Sequence, residues 1–159
     1  MDIYTVCLFG HRKLERAIEV EERLEQLVTD LVRTREYVEF LVGRNGEFDS
    51  LASSVIRKVI KRLNYGNARL ILVLPYMTAE YRDNMDGYHD YYDEIEICPE
   101  SSSAHYKSAI QVRNRSMVDR SDMVICCIQH KGGGAYITVE YAVKKGNHVI
   151  NLNESFLLR

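Results

Sequence analysis

The segment RNRSMVDRSDMVICCI, residues 113–128, joins an arginine-rich stretch to an apolar one. Residues 123–128 are apolar without alternation, which is typical of a central parallel strand covered on both faces of its sheet. The residues before the strand, at 103–120, are predicted to form a helix. A helix that leads directly into a buried strand is the repeating unit of an α/β protein, so the segment predicts that fold class.

The same alternation of strands and helices extends along the whole chain. Further strand candidates are residues 3–9, 36–43, 69–76 and 148–152, with a shorter one at 93–97. Two helices are predicted from apolar faces, Ala17, Val20, Leu24, Leu27, Val28 and Leu31 in the first and Leu51, Val55, Val59 and Leu63 in the second. Another helix is predicted over 135–145 and ends at Gly146. Together these elements predict a single domain, residues 1–159, that forms a Rossmann-like three-layer α/β/α sandwich around a mostly parallel sheet of five to six strands.

Composition limits the classes of partner that we expect. The chain has 21 Lys and Arg against 23 Asp and Glu, a formal net charge of −2. Nonspecific binding of nucleic acid usually requires a strongly basic face, so the sequence predicts no nonspecific nucleic-acid partner. No apolar run approaches the roughly 20 residues of a membrane span, and the N-terminus lacks the layout of a signal peptide. We therefore expect a cytoplasmic protein without a membrane partner.

The four cysteines predict neither a disulfide nor a metal site. Cys7, Cys126 and Cys127 lie in strand candidates, and Cys98 precedes a proline. Neighbouring residues of a strand point to opposite faces, so Cys126 and Cys127 cannot chelate together. No C-x-x-C pair or H-E-x-x-H spacing occurs. We expect buried thiols in a reducing compartment, no bound metal and no cofactor.

Candidate binding residues follow the ends of the predicted strands. In an open parallel sheet, ligands bind beyond the carboxyl ends of the strands. The first strand runs into Gly10, His11 and Arg12. A Gly-His-Arg turn at this position favours a functional histidine over a structural one.

A second candidate turn, GRNGEFD, covers residues 43–49. Gly43 and Gly46, on either side of Asn45, permit backbone turns before a helix whose first amides are expected to receive an anion. The spacing matches neither G-x-G-x-x-G nor a Walker loop. Asp49 has two interpretations, a cap of the following helix or a partner of a ribose hydroxyl.

The strand at 123–128 runs into a third turn, KGGGAYITVE. Gly132, Gly133 and Gly134 are expected to bring backbone amides against a ligand, with Thr138 and Glu140 in the first helical turns. The alternatives are a flexible loop without function and a Glu140 that is solvated or favourably close to the helix N-terminus.

Residues 75–94, PYMTAEYRDNMDGYHDYYDE, contain five tyrosines and have an acidic bias. The segment is too long and irregular for a simple connection, so we interpret it as a flap or binding loop. Tyr76 and Thr78 are the flap residues that we expect to contact a ligand, with tyrosines stacking on a base. The alternative is that the segment forms a protein interface.

The arginines of the opening segment are candidates for anion binding. Arg113, Met117 and Arg120 share one face of the predicted helix, whereas Arg115 points roughly the other way. A guanidinium on the covered face requires a fixed anion and offers a phosphate two parallel donors. We therefore include Arg113 and Arg115 in the site, with surface pairing to nearby aspartates as the alternative.

Four segments in this order, LFGHR, LVGRNGEFDSLA, RNRSMVDRSDMVICC and GGGAYITVEYAVKKG, resemble the SLOG superfamily. Within it, the resemblance is to the DUF1273 branch related to YpsA, and it covers roughly residues 3–152. It implies a Rossmann-like fold that binds nucleotides or nucleotide-derived ligands.

The chain is also distantly similar to the LOG phosphoribohydrolases and to nucleoside deoxyribosyltransferases. The residues matching the LOG pattern are Arg113, Met117, Gly133, Gly134, Thr138 and Glu140. This resemblance implies that Arg113 and Glu140 are catalytic residues for cleavage of an N-glycosidic bond. The chain lacks the proline of the glycine motif and has Tyr141 where a second acidic residue is expected. Thr138 stands where the transferases have a nucleophilic glutamate.

Two functions follow from these residues. The first is binding of a nucleotide-like small molecule by the rim loops, as in a sensor, with Arg12 and Arg113 as anion clamps. The second is N-glycosidic hydrolysis or transfer, in which Glu140 stabilises oxocarbenium-like charge and Arg113 holds the 5′-phosphate. His11 is then the candidate acid. A homodimer is a further expectation, because relatives often pair.

Overall fold

The computed structural model describes residues 1–158, which form one six-stranded sheet with helices on both faces. The elements are β1 (Ile3–Gly10), α1 (Ala17–Thr34), β2 (Tyr37–Val42), α2 (Glu47–Leu63), β3 (Ala68–Leu74), α3 (Ala79–Asp83), α4 (Met85–Tyr91), β4 (Glu94–Ile97), α5 (Pro99–Ser102), α6 (Tyr106–Asp119), β5 (Met123–Cys127), α7 (Gly133–Lys145) and β6 (His148–Asn151). Every strand pair is parallel. The predicted Rossmann-like α/β fold is confirmed.

Alternate residues of each strand face different helix layers. Val6 and Leu8 belong to the core shared with α1 and α2, whereas Cys7 belongs to the core shared with α6 and α7. Cys126 and Cys127 likewise belong to opposite cores, as predicted for neighbouring positions in a strand. The four cysteines are free and buried, and burial raises the pKa of the Cys7 thiol to about 12. These thiols therefore serve as small apolar side chains.

The strand order is β4-β3-β2-β1-β5-β6, so the sheet grows in two directions from β1. The chain leaves β1 towards β2 on one side and returns on the other side as β5. The connections after β1 and β5 therefore diverge at the carboxyl edge. In doubly wound sheets a ligand crevice lies at this switch point.

The interpretation of residues 75–94 as a flap or binding loop is wrong. The segment contains the helices α3 and α4, and the rings of Tyr81, Tyr88 and Tyr92 are buried in the core. Their centroids lie 5.2 Å and 6.1 Å apart along the chain, within the usual range for aromatic pairs. Thr78 accepts a hydrogen bond from the Tyr81 amide and caps α3. These three tyrosines are therefore covered and cannot stack on a ligand.

Two other expectations concern helix ends and membranes. Gly146 ends α7 in the left-handed conformation with φ of 88°, as predicted for a C-terminal glycine. The predicted helix at 103–120 begins only at Tyr106, after the separate short helix α5. Each helix between residues 1 and 158 is too short or too polar to cross a bilayer.

Candidate functional site

A cavity of about 490 Å³ lies at the switch point, at the carboxyl edge of the sheet. Its walls come from the end of β1 and the loop after it, the turn after β2, the inner face of α6 and the first turn of α7. The predicted residues that line it are Gly10, His11, Arg12, Gly43, Asn45, Asp49, Arg113, Gly133 and Gly134. The volume falls within the usual range for small-molecule sites.

Other predicted residues do not line this cavity. They are Gly46, Tyr76, Thr78, Arg115, Gly132, Thr138 and Glu140. Tyr76 and Thr78 belong to the segment that folds as helices, and Tyr76 is partly exposed. Arg115 is exposed on the other face of α6, where its guanidinium carbon lies 5.8 Å from the Tyr141 ring centre. It lines a different cleft, with Glu96 and Asp119.

The two residues predicted to be catalytic lie in different cavities. Glu140 lines a pocket of about 300 Å³ with Phe156 and Leu158, away from Arg113. Its carboxylate accepts a hydrogen bond from the Tyr136 hydroxyl at 3.3 Å. The rotation of α7 about its axis, which is set by the packing of its buried face, turns Glu140 towards the C-terminal segment. The structure thus brings no Arg113–Glu140 pair together.

Thr138 has a structural role in the contact between α6 and α7. Its side chain is fully buried, and its hydroxyl donates to the Gly134 carbonyl at 2.9 Å. The same hydroxyl accepts from Asn114 Nδ2 at 3.0 Å. Gln111 Nε2 also donates to the Gly134 carbonyl at 3.1 Å. These bonds fix the glycine turn against α6.

The turn after β2 does not provide the free amides that its sequence predicts. The Glu47 amide donates to the Arg12 carbonyl at 2.9 Å, and the Phe48 amide donates to the His11 carbonyl at 3.4 Å. The Asn45 amide donates to Asp49 Oδ2 at 2.8 Å. The loop after β1 is thus docked on the N-terminus of α2, and Asp49 closes the turn between them.

The first turn of α7 does offer amides to a ligand. Gly132 and Gly133 have φ of 95° and 86°, in the left-handed region that favours glycine, and Gly132 has no side chain to cap the helix. The first amides of a helix have no intrahelical acceptor. Within residues 1–158, no carbonyl or side chain accepts a hydrogen bond from the amides of Gly133, Gly134 and Ala135. This helix end is therefore suited to an anion in the cavity.

The cavity is locally positive. Arg12, Lys13 and Arg113 contribute three positive charges and Asp49 one negative charge, which leaves an excess of two. Arg12 and Lys13 are exposed and have room to move towards a ligand. The net charge of −2 for the whole chain conceals this local excess.

Arg113 is a buried cation in the cavity wall, with 2% of its surface exposed. Its Nη1 donates to the Val73 carbonyl at 2.8 Å, and its Nε donates to Asn114 Oδ1 at 2.9 Å. A β-carbon at Gly43 would lie 3.2 Å from Arg113 Nη1 and 3.2 Å from Asp49 Oδ2. Burial lowers the pKa of Arg113 and raises the pKa of Asp49, and the attraction between the two charges opposes both shifts. Arg113 is thus held by the protein and adds a fixed positive field.

Two stacked imidazoles form another part of the wall. The rings of His11 and His130 lie 3.8 Å apart between centres, with an interplanar angle of 8°. The Gln129 amide donates to His11 Nε2 at 3.2 Å, so the neutral His11 ring carries its proton on Nδ1. Burial and the neighbouring His130 lower the pKa of His11. The pair therefore favours an uncharged His11.

We expect His11 to make stability depend on pH. A lowered pKa in the folded state means that the unfolded chain binds more protons, so stability is lost as the pH falls through the unfolded value of about 6.5. The substitution His11→Gln keeps an acceptor for the Gln129 amide but does not titrate. It is expected to reduce the drop in melting temperature between about pH 7.5 and pH 5.5 relative to the unsubstituted protein. An equal drop in both proteins would show that His11 does not contribute.

Sequence reasoning missed several lining residues. They are Phe9, Lys13, Ile110, Asn114, His130 and Ala135. Lys13 directly follows the predicted turn at residues 10–12, and His130 lies just before the glycine turn. Their proximity to these turns along the chain could have indicated both as lining residues. Ile110 and Asn114 flank Arg113 on α6, but their selection required the rotation of the helix. Among residues 1–158, no cluster of three or more His, Cys, Asp or Glu side chains is placed to hold a metal ion.

Comparison with solved structures shows a likeness of fold. No protein-family model and no curated protein sequence matches the chain. DNA processing protein A (DprA) from Streptococcus pneumoniae matches with a TM-score of 0.64 and 16% identity, over 92% of this chain and 49% of that one. DprA from Helicobacter pylori matches with a TM-score of 0.59 and 16% identity, over 89% of this chain and 61% of that one.

These likenesses show that the chain has the Rossmann-like fold of DprA. The chain spans about half to three-fifths of the length of the two DprA structures. Membership of the DUF1273 branch stays a prediction.

The exclusion of a nonspecific nucleic-acid partner is contradicted. DprA from Helicobacter pylori, which shares this fold, binds single-stranded DNA. The exclusion used the net charge of the whole chain, whereas contact with phosphates depends on the charge at the site. The local excess of positive charge in the cavity is compatible with such a partner.

Proposed function

We propose that the cavity binds a nucleotide through its phosphate group. The observation that carries the proposal is the uncapped first turn of α7 in the same cavity as Arg12 and Lys13. Backbone amides at a helix N-terminus complement phosphate oxygens, and flexible cations add charge-assisted hydrogen bonds. Arg113 supports the anion from the wall through its field.

Two features favour a nucleotide over a free phosphate ion. The cavity volume of about 490 Å³ leaves space for a sugar and a base beyond the phosphate. Its walls include the apolar side chains of Phe9, Ile110 and Ala135. Binding sites for small molecules combine such apolar walls with a few polar groups. The position at the switch point of a Rossmann-like sheet agrees with this choice.

Single-stranded nucleic acid is a second candidate ligand. The likeness to DprA from Helicobacter pylori, which binds single-stranded DNA, favours it. A chain of nucleotides presents the same phosphate and base chemistry as a free nucleotide. The cavity also adjoins an open groove that shares Arg12 and contains Arg44.

The hydrolase or transferase alternative has less support than binding. Glu140, which that chemistry requires near the anomeric carbon, lines another pocket and is engaged by Tyr136. Asp49 lines the cavity, but its carboxylate is partly buried and accepts a hydrogen bond from the Asn45 amide. Binding without turnover is therefore the function that the geometry supports best.

The substitution Arg12→Ala tests the phosphate site. We expect it to weaken the binding of nucleoside 5′-monophosphates by about 10-fold or more, since a hydrogen bond to a charged group contributes roughly 1.5–3 kcal/mol. Isothermal titration calorimetry with the four monophosphates, and with nucleosides as phosphate-free ligands, measures the effect. Arg115→Ala is the matched control, because Arg115 is an exposed arginine outside the cavity. Equal affinities for the two variants would contradict the proposal.

The same titrations separate the candidate ligands. Tighter binding of a single-stranded oligonucleotide than of the monophosphates, with the same loss in Arg12→Ala, would favour the second candidate. Release of free base during incubation would favour the hydrolase alternative. The absence of binding to any phosphate-bearing ligand would refute the proposed function.

A further inference from the structure

We propose that Tyr106 forms the base-recognition subsite of the nucleotide cavity, so that the ligand class is nucleoside phosphates and not sugar phosphates or inorganic phosphate. This inference rests on the proposed function. It assigns the base to a residue outside the segment 75–94, where the sequence predicted stacking tyrosines. In that segment, Tyr81, Tyr88 and Tyr92 are buried in the core.

Tyr106 points in the same direction from α6 as two lining residues. At 3.6 residues per turn, its side chain points about 40° from Ile110 and about 20° from Arg113, in the sector between them. Ile110 and Arg113 both line the cavity. Tyr106 therefore belongs to the same face of α6 as these two lining residues.

Tyr106 lies further along the helix axis than the lining residues of α6. α6 begins at Tyr106 and leads down to the start of β5, so its N-terminus lies at the carboxyl edge of the sheet. Tyr106 is seven residues before Arg113, which corresponds to about 10 Å along the helix axis. Side chains of a helix also tilt towards its N-terminus. Tyr106 does not itself line the cavity, and the helical rise places its ring beyond Ile110, on the solvent side of the lining residues.

The Tyr106 ring is accessible and partly oriented. Tyr106 is 66% exposed, so most of its aromatic surface is accessible to a ligand. One contact orients it: the His105 ring lies 4.8 Å away at an interplanar angle of 28°. His105 is itself fixed, because its Nδ1 accepts from the Lys107 amide at 3.2 Å. A partly oriented ring with accessible surface is suited to stacking on a nucleobase.

Three residues in successive turns of α6 are placed to contact the three parts of a nucleotide. Arg113, in the cavity wall, supports the phosphate together with the first turn of α7. Ile110 offers an apolar contact to the sugar, and Tyr106 offers an aromatic surface to the base. Stacking accepts every base, since each has a π-face, so this arrangement recognises the presence of a base without selecting one.

The test compares ligands with and without a base in two variants. Calorimetry of the unsubstituted protein, Tyr106→Ala and Tyr106→Phe uses the four nucleoside 5′-monophosphates and ribose 5-phosphate. We expect Tyr106→Ala to weaken monophosphate binding about 5- to 100-fold and to leave ribose 5-phosphate binding unchanged, whereas Tyr106→Phe retains both. Tyr65→Ala is the control, because Tyr65 is 56% exposed and follows the end of α2 at the opposite edge of the sheet.

Each other outcome overturns the inference in a distinguishable way. Unchanged monophosphate affinity in Tyr106→Ala, or an equal loss for monophosphates and ribose 5-phosphate, would refute the base subsite while the proposed phosphate site stands. Similar losses in Tyr106→Ala and Tyr65→Ala would assign the effect to general stability. If the unsubstituted protein binds none of these ligands, the proposed function fails and the subsite fails with it.

Discussion

Replacing Arg113 by methionine is expected to lower the free energy of unfolding by about 3 to 5 kcal/mol, since it removes two hydrogen bonds from a charged group that contribute roughly 1.5–3 kcal/mol each. The guanidinium is buried, and it satisfies the Val73 carbonyl and Asn114 Oδ1. Methionine fills much of the same volume but donates to neither oxygen. It also leaves the partly buried Asp49 carboxylate without the nearby positive charge. Most of the expected loss comes from the two oxygens that lose a charged donor, and the nearby carboxylate adds to it.

Urea denaturation of Arg113→Met, Asp49→Asn and the double variant measures this coupling. The double variant is expected to lose less stability than the sum of the two single losses, because it no longer contains an uncompensated carboxylate. Arg115→Met is the matched control on the same helix. Its side chain is exposed, so its loss is expected to stay within about 0.5 kcal/mol. Additive losses in the double variant would mean that Arg113 and Asp49 do not interact.

The pH dependence of this loss follows from the raised pKa of Asp49. A carboxyl group whose pKa is raised on folding binds more protons in the native state, so stability falls as the pH rises above the unfolded value of about 3.9. Arg113 opposes this rise in the pKa. Without Arg113 the pKa rises further and the window of falling stability widens. The cost of Arg113→Met is therefore expected to be larger near pH 7 than near pH 4, and equal costs would exclude Asp49 as its cause.

The strands were the most predictable part of this fold. Buried parallel strands are nearly continuous apolar runs, and the predicted runs at 3–9 and 148–152 differ from β1 and β6 by one residue at an end. Such strands can be recognised from the local sequence alone, because side chains on both faces of the sheet must be apolar. The end of each strand then located the loops of the site. Thus Gly10, His11 and Arg12 were predictable from the end of one strand.

Helix rotation was the least predictable feature. The predicted face of α2 contained Leu51, which is only half-buried, whereas Phe48 is completely buried. Phe48 packs against Gly10, a contact between distant residues that no local periodicity shows. The same uncertainty affected α7, where Glu140 shares the amphipathic pattern but faces the C-terminal segment. The sequence of a helix shows the period of its apolar residues more readily than the rotation of the helix about its axis.

The tyrosines of residues 75–94 show a different difficulty. Tyrosine combines an apolar ring with a hydroxyl, so the same residue type suits a core, an interface and a base-stacking surface. In the structure, Arg44 Nη1 donates to the Tyr92 hydroxyl at 3.0 Å, and the Arg44 guanidinium lies over the Tyr88 ring. An arginine distant in sequence thus provides a hydrogen-bond donor for the Tyr92 hydroxyl and a cation–π contact for the Tyr88 ring. No pattern within the segment indicated that partner.

Replacing Gly46 by alanine is expected to lower the free energy of unfolding by about 3 kcal/mol, at the upper end of the range for overpacking. A β-carbon at this position would lie 2.4 Å from Arg12 Cα, which is a backbone atom and cannot rotate away. The φ of Gly46 is 176°, an extended conformation open to any residue, so the cost is steric and not conformational. The loop after β1 must move off the N-terminus of α2.

This displacement links stability to the proposed function. The loop after β1 contains His11, Arg12 and Lys13, and it is held by hydrogen bonds from the Glu47 and Phe48 amides. We therefore expect Gly46→Ala to weaken nucleotide binding at least as much as Arg12→Ala does, although Gly46 does not line the cavity. Calorimetry at a temperature well below the melting point of the variant separates this effect from unfolding.

Gly87→Ala is the matched control for Gly46→Ala. Gly87 lies within α4, and a β-carbon there meets no atom within 4 Å. Alanine in a helix is favoured over glycine, so this variant is expected to gain about 0.5 to 1 kcal/mol. If both glycine variants lost stability equally, the effect at Gly46 would be general and not a contact with Arg12. If Gly46→Ala kept full stability and binding, the docking of this loop on α2 would not position the cations of the cavity.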